Sequence, residues 1–286
     1  VVLHSTASMP TNEPGPTDFW SVIHSFDNPS LFENFHCDGD GAWIRRGLDM
    51  GTLVIGHDGS YMPTVTTTVC SAAFMIYCKA TKQVCKGTVV ESSPSADNYR
   101  GEALGAIMIQ LVLHAATRRR PRTVPDVTIY CDNRGIISHG NEPDVPLLER
   151  QPQADLLRSL KDILGINPFT LSFVWAEGHA VDRKGWAAAS TGERIIRKCD
   201  GLAKKALLAG YADGAYISPG IPFERVQVSV GGDRVTGSTR TALDVHLGRR
   251  AAIEFFDRKR IVMREHFDDV WWPGLGRALL DFPKMF

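Results

Sequence analysis

The sequence predicts an α/β domain built on a five-stranded mixed sheet with helices on both faces. Three observations predict it. Three β-rich apolar runs follow one another at residues 52–57, 69–77 and 84–90. A long stretch at 96–116 then carries Leu, Ile and Met at helical spacing. After it, strand-like and helix-like segments alternate to about residue 208.

The elements read as follows. Residues 52–57 form an apolar strand that runs into Asp58-Gly59-Ser60, a turn signal. With the two runs behind it, this strand makes an antiparallel meander. The helix at 96–116 must cross back over the sheet to feed a short β-branched strand at 127–130, which stops at Cys131-Asp132-Asn133. A helix at 154–164, a strand at 170–175 and a helix at 194–208 complete the order βββαβαβα. Alternation of this kind implies right-handed crossovers and a sheet covered on both sides.

Regions flank this core on either side. Residues 1–50 are turn-rich at first, then hold short amphipathic pieces at 19–26 and 31–35, the former capped by Asp18 or Thr17. They read as a helical and loop extension to a domain at 51–210. Residues 211–286 read as an appendage, with a hairpin from 226–230 through Gly231-Gly232-Asp233 and a helix at about 241–259.

Composition excludes several classes. Lysine plus arginine (32) equals aspartate plus glutamate (32), so formal net charge is zero, unlike a free-standing basic nucleic-acid binder. The six cysteines form no CxxC pair and several sit in apolar runs. They read as small buried hydrophobes in a reducing, intracellular setting. No apolar run approaches the length of a membrane span. The opening VVLHSTASMP lacks the build of a secretory signal and an initiator methionine, so a segment of a longer polyprotein is expected.

The acids carry the chemistry. Asp58 ends the first strand and Asp132 the fourth; if those strands are adjacent and parallel, their ends lie side by side. Glu102 lies early in the long helix, whose start falls at that same end. Asp200 opens the last helix, again after a strand running toward that end. Four carboxylates at one edge repel unless a cation neutralises them. Oxygen-only ligation selects Mg2+ or Mn2+. Two such ions about 3.5–4 Å apart would stabilise the attacking and leaving oxygens of a phosphoryl displacement. His179, in the Glu177-Gly178-His179 loop, is placed to assist proton transfer or product release.

The segments HDGSY (57–61), YRGEALGAI (99–107), IYCDNRGII (129–137), VWAEGHAVD (174–182) and CDGLAKKA (199–206) resemble, in order, the motifs of ribonuclease H. They are most similar to ribonuclease H domains attached to reverse transcriptases of eukaryotic retroelements, including large protist and diatom reading frames. The resemblance covers roughly 48–210, with a weaker likeness at FDDVWWPGLGRAL (267–279). It implies a ribonuclease H-like fold, two Mg2+ or Mn2+ ions held by Asp58, Glu102, Asp132 and Asp200, and a loop histidine at His179. Ser60 and Asn133 match positions where small polar groups contact substrate. The implied activity is endonucleolytic hydrolysis of the RNA strand of an RNA–DNA hybrid, beside a tethered reverse transcriptase. One departure is the long stretch between His179 and Asp200, with Trp186 and an alanine run inserted, which makes Asp182 a competitor for the fourth ligand. Asp200 is favoured because Leu202, Ala203 and Ala206 give its helix an apolar face.

Other readings stand beside these. Asp58 could be a turn residue, Glu102 a solvated helix position, Asp132 an N-cap for the following helix, Asp200 an N-terminal helix charge and His179 an idle loop residue. The cluster Arg118-Arg119-Arg120-Pro121-Arg122 reads as a solvated loop away from the acids, and Trp271-Trp272 as a packing anchor. At the level of function, the rivals are a catalytically degenerate connection domain and another nuclease or integrase on the same fold; Glu102 on the first long helix argues against the latter.

Overall fold

The computed structural model describes residues 2–5, 18–26, 29–93, 95–117, 126–147, 151–167, 169–214, 221, 226–230, 233–236, 239–260 and 265–266. The arginine cluster at 118–122, Trp271-Trp272 and the tract at 267–279 lie outside them. The chain divides into two compact units, Leu3–Gln227 with Thr236–Ser238, and Val1–Val2 with Val228–Val235 and Thr239–Phe286.

The larger unit is the mixed α/β domain that the alternation predicts. After a short strand β1 (Val2–Ser5), the helix α1 (Phe19–His24) and a single 3-10 turn at Pro29–Phe32, the sheet strands are β2 (Asn34–Cys37), β3 (Leu53–Tyr61), β4 (Val69–Cys78), β5 (Val84–Ser92), β6 (Val127–Cys131) and β7 (Leu171–Trp175). Their order across the sheet is β2-β5-β4-β3-β6-β7. The β3, β4 and β5 strands form the antiparallel meander. The β6 strand lies parallel to β3, and β7 parallel to β6.

The sheet therefore has six strands, not five. The additional edge strand β2 comes from the region expected to be an extension, pairing antiparallel with β5 from Asn34 opposite Thr88 to Cys37 opposite Cys85. Four residues with one side exposed carry little periodic signal. What holds them is packing, with the Phe35 ring stacked 6.2 Å from that of Phe74 on β4. The helix α2 (Ala42–Asp49), which the sequence reading did not anticipate, buries Trp43 and Ile44 in the same core.

Alternation along the strands supplies both faces. On β4, Cys70, Ala72, Phe74 and Ile76 join the main core with α3 (Asn98–Thr117), while Ala73 and Met75 face Ile195, Cys199 and Ala203 of α7 (Thr191–Asp213). The α3 helix is apolar on nearly all sides because α1, α2, α4 (Arg134–Asn141) and α5 (Ala154–Ile166) cover what the sheet does not. Its N-terminus is fixed by Asp97, which accepts from the Arg100 backbone N–H at 2.6 Å. Two glycines set its height: a Cβ at Gly59 would strike the Gly101–Glu102 backbone, and one at Gly101 would strike the Ser71 carbonyl. Helix and sheet meet there backbone to backbone.

Beneath that first turn lies a buried ion cluster. The Arg100 guanidinium donates to both oxygens of Glu91, at 2.7 and 2.6 Å, and reaches Asp155 and the Gln153 carbonyl oxygen at 2.9 Å each. The α7 helix begins earlier than periodicity indicates, because Ser190 and Glu193 form a capping box, and it ends at Gly214 in the left-handed region. All six cysteines are buried and free. No helix among the described residues is long and apolar enough to cross a membrane. Further along the chain, β8 (Val226–Val230) and β9 (Asp233–Arg234) form a hairpin, and α8 spans Thr239–Arg258.

Candidate metal centre

Because β3 and β6 run parallel, Asp58, which pairs with Ala73 inside β3 rather than standing in the turn expected at Asp58-Gly59-Ser60, and Asp132, just past β6, reach the same end of the sheet. Glu102 descends from the first turns of α3, brought close by the paired glycines. Asp58, Glu102 and Asp132 each present a carboxylate oxygen within 4.8 Å of the others. Asp58 and Glu102 are buried, and Asp132 is half-buried.

The electrostatics of three acids so placed are adverse. Burial, then the neighbouring Glu102, holds the Asp58 carboxyl well above the ordinary carboxylate range. Burial, then Asp132, raises Glu102 as well. Both Glu102 oxygens are buried and find no hydrogen-bond partner among the described residues. Orphaned carboxylate oxygens in an all-oxygen cluster fit a hard divalent cation.

Asp200 is not part of that group of three. It is buried and adds to the negative field on Asp58. Its oxygens are engaged by Arg197 at 3.0 Å and Lys204 at 2.7 Å. Asp200 sits in the third turn of α7 rather than opening it, so the reading as an N-terminal helix charge fails on position. Asp182, in the short helix α6 (Ala180–Lys184), is exposed, and the same Arg197 holds it at 2.9 Å. One guanidinium thus bridges the two competing acids.

His179 precedes α6 with a left-handed backbone (φ 55°) and an exposed side chain, its Nδ1 3.4 Å from Asp182. Its loop lies against the acids because a Cβ at Gly178 would strike Asp132. The cap of α4 is Asn133, whose side-chain oxygen accepts from Gly135 and Ile136 N–H at 3.0 and 3.2 Å. The N-cap role considered for Asp132 therefore belongs to Asn133. Ser60, two residues beyond Asp58 on β3, is buried.

The sequence reading missed two features. His57 is fully buried, with its Nδ1 3.4 Å from Glu102 Oε2 and its ring against Phe173 of β7. Burial pushes it down to about 4, so it is neutral near pH 7. The signal was present in HDGSY, since strand alternation turns His57 to the α3 side, where Gly105 leaves it room. The second is an exposed pair at the rim. Trp175 lies opposite Cys131 in register, and the Arg134 guanidinium sits 6.0 Å from its ring centroid.

No protein-family model matches the sequence, and no curated protein does. Solved structures resemble it distantly. RNase H1 from the halophilic archaeon Halobacterium salinarum NRC-1 is 16% identical, over 55% of this chain and 98% of that one, with a TM-score of 0.35. The RNase H domain of PFV is 12% identical over 55% of this chain and 95% of that one, with a TM-score of 0.40. Prototype Foamy Virus Protease-Reverse Transcriptase is 13% identical over 58% of this chain and 21% of that one, with a TM-score of 0.38. Identities and scores this low do not carry a function across.

Proposed function

We propose that this chain is a metal-dependent endoribonuclease that hydrolyses the RNA strand of RNA–DNA hybrids and works beside a reverse transcriptase in a retroelement polyprotein. The observation that carries the reading is the meeting of Asp58, Glu102 and Asp132 with their oxygens within 4.8 Å, two of the three acids being buried. The motifs in order, set on a mixed sheet with parallel β3 and β6, support it.

In this reading Asp58, Glu102 and Asp132 hold Mg2+ or Mn2+, and Asp200 completes the set when it turns from Arg197 and Lys204. The ions supply charge neutralisation at the scissile phosphate and at the oxygens that attack and leave it. Neutral His57 stands 3.4 Å behind Glu102 and fills the buried space beside that carboxylate without neutralising it. His179, exposed on its loop, carries a proton to or from the departing product. Arg134 and Trp175 at the rim face the duplex backbone, and recognition of the hybrid falls to 2′-hydroxyls and backbone shape rather than base edges. Water is added across the P–O3′ bond, leaving a 3′-hydroxyl and a 5′-phosphate.

The test is cleavage of a hybrid labelled on its RNA strand, in Mg2+ and in Mn2+. The wild-type chain is expected to cut that strand alone. Asp132→Asn should lose at least about 100-fold in rate, since metal-ion catalysis supplies several kcal/mol, with its melting temperature retained. Asp200→Asn should lose more than Asp182→Asn. The reverse ranking moves the fourth ligand into the α6 loop. A wild-type chain that binds ions yet leaves the hybrid intact would be the degenerate domain instead.

A further inference from the structure

A second site lies on the α7 side of the sheet, where the inserted Trp186 stretch turns back over the strands. A recess of about 360 Å³ opens there between the first turns of α7 and the start of β3. Its walls carry two aromatic rings, Tyr77 and Trp186, and three cations, Lys79, Arg194 and Lys198. Val54 and Met75 supply an apolar floor. No acid lines it among the described residues.

The side chains are arranged in alternation. Lys198 Nζ sits 5.9 Å from the Tyr77 ring centroid and 5.7 Å from that of Trp186, between the two. The Arg194 guanidinium lies 5.9 Å from the Trp186 ring centroid and is steadied by the Trp186 and Ala187 carbonyls, at 2.9 and 3.0 Å. Lys79 and Lys198 make no ion pair with any described residue. Trp186 remains 48% exposed, a large apolar face kept in water. Cations clustered without acids repel, and a half-exposed indole costs solvation; both costs vanish when a flat, anionic, aromatic ligand enters.

We propose that this recess binds an unpaired nucleotide of a single nucleic-acid strand, its base stacked on Trp186 and its phosphate held by Lys198, Arg194 and Lys79. Stacking platforms interleaved with cations are the chemistry of strand binding without base readout. A phosphorylated nucleotide uses both the ring faces and the cations, whereas a free phosphate leaves the rings idle and a neutral aromatic leaves the charges unmatched. Val54 and Asp58 share one side of β3 by alternation, about 13 Å apart along the strand. A strand seated here would therefore run toward the acid cluster. The proposal stands on the recess alone and does not require the chain to be a nuclease.

The experiment uses the full chain in EDTA and reads fluorescence anisotropy of a short labelled oligo(dT), a single strand with no RNA to cut. Trp186→Ala should weaken binding about tenfold, the scale of one lost base stack, and Trp186→Phe should restore most of it. Lys198→Gln should weaken binding several-fold and flatten the salt dependence by about one unit of log–log slope. Circular dichroism melts accompany each variant, all of which alter exposed side chains. Binding insensitive to Trp186→Ala overturns the proposal, whether or not Lys198→Gln weakens it, because a merely basic surface would behave so. Displacement of the oligonucleotide by poly-glutamate at equal charge concentration also overturns it, assigning the recess to acidic peptides. Failure of the wild-type chain to bind the oligonucleotide while it still cleaves hybrid would leave the nuclease reading standing and remove only this one.

Discussion

Replacing Asp58 with asparagine is expected to raise the melting temperature of the ion-free protein while abolishing hybrid cleavage. Asp58 is buried beside Glu102 and Asp132, and burial first, then Glu102, raises its carboxyl far above the range of an exposed aspartate. The folded chain therefore binds a proton at Asp58 more readily than the unfolded chain does. Such a group contributes stability that is complete below the unfolded value, near pH 4, and is lost as pH rises toward the raised folded value. Glu102 is raised in the same sense. Without divalent ions, wild-type stability should fall from pH 5 to pH 8, and the variant should show a shallower fall. Even one pKa unit is worth about 1.4 kcal/mol, or roughly 3–6 °C for a domain of this size. Ions work in the opposite direction. At 100 times the dissociation constant they stabilise the wild type by about 2.7 kcal/mol, an increment the variant should largely lack. Melting curves across pH with and without Mg2+ decide it. A lower ion-free melting temperature for Asp58→Asn, with an unchanged pH profile, would show that the acids are not in mutual repulsion.

The second large effect belongs to Arg100. Its guanidinium is fully buried and bonds at once to Glu91, Asp155 and Gln153. Removing one partner from a buried ion cluster costs about 3–5 kcal/mol, because the remaining charges stay desolvated. Arg100→Met should therefore lower the melting temperature by roughly 6–20 °C. Arg100→Lys keeps the charge but cannot fork onto the two Glu91 oxygens, so an intermediate loss is expected. Because Arg100 stands two residues before Glu102, the surviving folded fraction should also bind Mg2+ more weakly. A loss below about 1 kcal/mol would mean that water or a rearranged neighbour replaces the guanidinium.

Much of this was legible in the chain. The runs at β3, β4 and β5 are β-rich and apolar, and crossover logic then allows β6 to lie beside β3 with its end toward Asp58. Convergence of three acids follows from that topology and needs no side-chain detail. The surroundings of Asp200 were also written in the sequence. Arg197 and Lys204 lie three residues before and four after it, the spacing of helical ion pairs. That pattern lies wholly inside the helix read at 194–208; what the late start hid was the first turn, since Ser190 and Glu193 sit beside an alanine run of no clear period. The height of α3 over the sheet and the recess by Trp186 were out of reach, because each depends on contacts between residues tens of positions apart. Strand β2 was hidden for a different reason. Its four residues owe their conformation to β5 and Phe74 and have little of their own.

That strand has a consequence for how far the working module extends. The partner strand β5 carries a row of backbone donors and acceptors which Asn34–Cys37 occupies, and an open row of that kind is a template for another chain. A fragment begun at residue 51, where the strongest motifs start, would bare this row together with the apolar surface under Trp43 and Ile44. Its expected behaviour is concentration-dependent self-association, with one copy lending a strand to the next, whereas a fragment begun at residue 18 carries its own guard.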